Sequence, residues 1–146
     1  MRCFELKDPL GVTVISSRTA GSRTGATAVD REQLEALLAG DDEAPSTALD
    51  ALRGGASHVV WEGTASAESL AHVYGRRLRH TLRKGIETTG LERAVELLGR
   101  HGQPVRLGQI NSADGAWVFM LFITEDSRGL VACTGVRQSA QSGPRP

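Results

Sequence analysis

Cysteine is almost missing from this chain, with only Cys3 and Cys133 among 146 residues. The disulfide frameworks that hold small secreted domains together use four or more, so that class is excluded. No cysteine or histidine pair stands at zinc-ligand spacing, and neither H-E-x-x-H nor C-x-x-C occurs. Both cysteines fall in expected strands; a bridge between the first and last strands is geometrically open, with buried free thiols the preferred reading in a reducing compartment. Aromatic residues make up only 4% of the chain, too few to build a core and also stack the bases of single-stranded nucleic acid. Lysine is confined to Lys7 and Lys84, and this arginine bias, with abundant alanine and glycine, resembles the usage of a GC-rich bacterial genome. The 17 basic and 17 acidic residues cancel, which argues against a general polyanion binder but leaves room for local segregation. No stretch approaches the roughly 20 apolar residues of a membrane span, and M-R-C-F-E-L-K-D-P holds no apolar signal core. The expectation is a cytoplasmic protein with no membrane partner.

What the chain does have is concentrated in residues 105–136. Eight apolar residues run from Ala116 to Ile123, with Asp114-Gly115 before them and Glu125-Asp126-Ser127-Arg128-Gly129 after them. The length suits a strand, and both ends carry turn chemistry. Continuous apolarity, in place of alternation, predicts a strand covered on both faces. Residues 105–110 and 130–135 would flank it in a three-stranded antiparallel meander.

Upstream, residues 3–6 and 12–15 read as a hairpin around Pro9 and Gly11, and residues 58–61 as a further strand. Asp30 followed by Gln33 predicts a capping box, with Val29 and Leu34 as its hydrophobic staple, for a helix ending at Gly40. Asp41-Asp42-Glu43-Ala44-Pro45 reads as an acidic linker, and residues 46–53 as a short helix. Residues 66–84 form the longest helical stretch. Ala67, Leu70, Ala71, Tyr74, Leu78 and Leu82 fall on one arc, and Arg76, Arg77, Arg79, His80, Arg83 and Lys84 on the opposite side. Thr89 and Glu92 give a second capping box for the next helix. The fold expected is a single α+β domain over residues 1–137 with a mostly antiparallel sheet and helices mainly on one face. Residues 138–146 would be a flexible tail.

Catalytic constellations are absent: no G-x-S-x-G elbow, no phosphate-binding G-x-x-x-x-G-K-[ST] and no G-x-G-x-x-G. No cofactor or metal is expected, and an enzymatic or small-molecule-binding role ranks last. The loop containing Arg18, Gly21, Ser22, Arg23 and Gly25 could cradle an anion through backbone N–H groups and guanidinium, although a solvated loop is the simpler account. The basic side of residues 66–84 is the sharpest feature. Arg76, Arg77, Arg79, Arg83 and Lys84 could contact phosphates or an acidic protein surface, or could merely solvate the helix while pairing with Glu87, Glu92 or Glu96. The two-sided apolar strand also asks for a cover, which a second subunit could supply. The function expected is a non-enzymatic interaction module, homodimeric or docking on another protein through its sheet and basic helix. Nucleic-acid binding through the basic face is the alternative.

Overall fold

A computed structural model of the chain describes residues 4–7, 13–16, 26–27, 30–40 and 42–137, with side chains from Asp30 onward other than those of Glu62 and Leu82. The elements are β1 (Phe4–Lys7), β2 (Thr13–Ser16), β3 (Ala26–Thr27), α1 (Arg31–Leu38), α2 (Glu43–Arg53), β4 (Ser57–Ser66), α3 (Ala67–Lys84), β5 (Thr88–Thr89), α4 (Leu91–His101), β6 (Pro104–Asn111), β7 (Trp117–Thr124) and β8 (Leu130–Arg137). This is an α+β fold. Six antiparallel strands lie in the order β3-β4-β6-β7-β8-β5, and the expected meander is its centre.

Two matching turns set the ends of β7. Before it, the Asp114 carboxylate accepts from the Ser112 hydroxyl at 2.7 Å and the Ala116 N–H at 2.9 Å, while Trp117 N–H donates to Ser112 Oγ at 3.0 Å. After it, the Asp126 carboxylate accepts from the Thr124 hydroxyl at 2.7 Å and the Arg128 N–H at 3.0 Å. These donors hold both carboxyls below the usual Asp range, led by the Ala116 N–H for Asp114 and by the Thr124 hydroxyl for Asp126.

Strand alternation then divides the core into two. Met120 and Phe122 on β7 face one side with Val105, Leu107 and Ala132. Phe119, Leu121 and Ile123 face the other with Ile110 and Cys133. On the first side α3 and α4 supply Leu70, Tyr74, Leu91 and Leu98, and Tyr74 meets Phe122 edge-on at 5.6 Å. On the second side α1 and α2 supply Leu34, Leu38, Ala48 and Leu52. Helices were expected mainly on one face; α3 and α4 do share one, and α1 and α2 close the other. The cover sought for the second face of β7 therefore comes from this chain itself. Arg31 donates to the Leu52 backbone carbonyl, tying α1 to the end of α2, and Gln33 Nε2 donates to the Ser127 carbonyl at 3.2 Å, tying α1 to the meander.

Several local expectations change. Asp30 is the N-cap of α1 but makes no side-chain capping bond, and Gln33 is committed to Ser127 instead of a capping box; Val29 lies outside the described residues. The acidic segment is not all linker. α2 begins at Glu43 with Pro45 in its first turn, where a missing N–H removes no intrahelical bond. Thr89 does not cap α4. It pairs with Gly135 as part of β5, and Gly90, at φ +74°, takes the N-cap position. β4 extends to Ser66, five residues beyond the expected end at Trp61, through an irregularity between Val60 and Thr64, and Ser66 Oγ accepts the Ser69 N–H at 3.1 Å to start α3 without a loop. β1 and β2 pair antiparallel as expected but form a separate two-stranded sheet, with β3 taking the place beside β4. Cys3 and the 17–25 loop lie outside the described residues.

Candidate docking surface on the basic helix

α3 is amphipathic in the sense its sequence predicts. Ala67, Leu70 and Tyr74 are buried, Ala71 and Leu78 half-buried, and Arg76, Arg79, Arg83 and Lys84 exposed; the side chain of Leu82 lies outside the description. Thr81 is also buried. Small residues let α3 lie close to α4: a Cβ on Gly75 would sit 3.7 Å from Val95 Cγ1, and one on Gly99 would sit 3.8 Å from Ala71 Cβ.

Beside these small residues the surface dips. Ala71 and Gly75 form the apolar part of a shallow depression of about 510 Å³, and His72, Arg76, Arg79, His80 and Arg83 surround it. The structure thus brings together three of the five basic residues singled out in the sequence. It does not bring in Arg77, which is half-buried and engaged in an interaction of its own, or Lys84, exposed at the last turn. His72 belongs to the group and was missed. Its signal was its place four residues before Arg76 and eight before His80, which puts all three on one helical stripe.

Two of the three acidic residues that could have neutralised the stripe, Glu96 and Glu87, are committed elsewhere. Glu96 binds Arg100 at 2.8 Å and Arg93 at 3.5 Å within α4, and the Arg100 hydrogen bond leads in holding its carboxyl below the ordinary value. Glu87 pairs with Arg137 at 3.8 Å. Among the described residues no ion pair reaches Arg76, Arg79 or Arg83. The stripe is one helix wide, and the exposed carboxylates of Glu92 and Glu96 lie on the adjoining helix. Tyr74, Phe119 and Phe122 are buried and Trp61 and Trp117 half-buried; none of these rings lines the depression, which offers charge and donors.

Other places carry less chemistry. Cys133 is a free, buried thiol, and burial pushes its pKa up, away from the thiolate that nucleophilic work requires. His58 and His101 are half-buried and far apart in sequence. Among the described residues no three of His, Cys, Asp and Glu converge as a metal site, and no helix is long and apolar enough to cross a membrane. A smaller cavity of about 250 Å³ opens between the start of α2, α4 and β8. The anion-loop candidates Arg18, Gly21, Ser22, Arg23 and Gly25 lie outside the described residues. No protein-family model, curated protein or solved structure matches the chain.

Proposed function

We propose that this protein is a small, cytosolic, non-enzymatic interaction module that docks on an acidic protein surface through the basic stripe of α3. One observation carries the reading: Arg76, Arg79 and Arg83 share a depression and none is ion-paired among the described residues. Such arginines keep their donors available, and charged hydrogen bonds to carboxylates are among the stronger polar contacts. Both faces of the sheet are occupied by helices of the same chain, so docking falls to the helix surface. An acidic protein surface suits the site better than nucleic acid, because the stripe is narrow, carboxylates adjoin it on α4, and the net charge is zero.

The test is the triple substitution Arg76→Ala, Arg79→Ala, Arg83→Ala, with polyglutamate as probe. Wild type should bind with an affinity that falls as salt rises, and the triple variant should not bind. Folding should survive, since exposed helix positions cost within about 0.5 kcal/mol each. Equal polyglutamate binding by both proteins would overturn the reading. Retardation of random-sequence DNA at about 150 mM salt, where the Debye length is about 8 Å, abolished by the same substitutions, would replace it with nucleic-acid binding.

A further inference from the structure

The zero net charge conceals a division across the sheet. Residues 30–53, which hold α1 and α2, carry seven carboxylates against two arginines, a net of −5. Residues 67–84, which form α3, carry four arginines and one lysine against Glu68, a net of +4 with histidines neutral. These two groups cover opposite faces of the sheet. The start of the acidic α2 also helps to form a shaped receptor, which α4 and β8 complete. The cavity at the start of α2 has Pro45, Leu97, Leu130 and Val131 among its apolar walls and the exposed Asp42 and Glu43 at its rim. Arg93 lines it too, although that guanidinium is shared with Glu96 at 3.5 Å.

An apolar wall beneath two carboxylates fits an arginine: the aliphatic stem lies on the wall and the guanidinium meets the rim. The stripe on α3 presents such arginines, with Arg76 and Arg83 about 10 Å apart along the axis at 1.5 Å per residue. We infer that the acidic partner of the basic stripe is a second copy of this chain, its α2 cavity receiving the α3 arginines head to tail. This rests on the docking role proposed for α3 and names its partner. In a head-to-tail contact one stripe meets one cavity, so one copy keeps a free stripe and the other a free cavity, and assembly continues to a ring or an open chain instead of stopping at a two-fold dimer.

Sedimentation over rising protein concentration tests this. At about 10 mM salt, where the Debye length is about 30 Å, and again at about 1 M, where it is about 3 Å, the weight-average mass is compared with the 15.6 kDa of one chain. The expected result is a mass that climbs past two copies at low salt and returns to one at high salt. Two blocked variants sharpen the test: Arg76→Glu, Arg79→Glu, Arg83→Glu removes the stripe, and Asp42→Asn, Glu43→Lys removes the cavity rim. Each alone should stay monomeric with a wild-type circular dichroism spectrum, and an equimolar mixture should form a complex of two chains and no more. A strict monomer throughout, a two-fold dimer that survives high salt, or a mixture that does not associate would each overturn the inference. Polyglutamate binding by the same wild-type sample separates the two claims. If it persists while self-association fails, α3 docks on a foreign partner; if both fail, the docking role falls as well.

Discussion

Gly90 and Gly102 bracket α4 at nearly the same positive φ, +74° and +75°, yet their surroundings differ. A Cβ on Gly90 would lie 2.5 Å from Ala44 Cβ and 2.8 Å from the Cys133 carbonyl oxygen, whereas one on Gly102 would meet nothing within 4 Å. Gly102→Ala should therefore cost only left-handed backbone strain, about 1 to 2 kcal/mol. Gly90→Ala adds overlap with α2 and β8, for which overpacking costs of about 1 to 3 kcal/mol are a guide. Urea denaturation of the two variants decides the matter, and equal midpoints would mean that α2 does not press on Gly90. The same residue-level competition explains the displaced caps. Gln33 and Thr89 each had a local partner in the sequence, and each is engaged by the meander instead, through Ser127 and Gly135. Thr89 bears a consequence of this: its buried hydroxyl has no hydrogen-bond partner among the described residues.

Among the elements, α1 and α2 alter the picture most. Leu34, Leu38 and Leu52 are fully buried against Phe119, Leu121 and Ile123, so these helices are part of the core. Leu34→Ala should then cost about 2 to 5 kcal/mol, as for other buried leucines. Glu32→Ala, on the exposed side of α1, should change stability by about 0.5 kcal/mol or less. Thermal or chemical unfolding followed by tryptophan fluorescence would report both, because Trp117 packs beside this layer. A neutral Leu34→Ala would detach α1 from the sheet and reopen the question of what covers β7.

For the molecule as a whole, β7 is the best-protected element, with a partner strand on each edge and helices over each face. Amides of residues 120–122 should exchange only through global unfolding, and those of the two-residue edge strands β3 and β5 through local opening. Hydrogen exchange followed by nuclear magnetic resonance measures the contrast, and faster exchange in β7 than in β5 would contradict the strand order. Much of this centre was legible because its signals are contiguous: an unbroken apolar run with turn residues at both ends, and a helix whose arginines and leucines separate at 3.6 residues per turn. These features need only neighbours in the chain, and the sequence determined them. The second helical cover and the separation of the β1–β2 hairpin from the main sheet depend on residues far apart in the chain. The basic stripe shows both sides. Its residues could be read from helical spacing, but the freedom of Arg76, Arg79 and Arg83 from ion pairs among the described residues was decided in three dimensions, where Glu96 turned to Arg100 and Glu87 to Arg137. A charge has many candidate partners along a chain, and only packing brings one of them within reach.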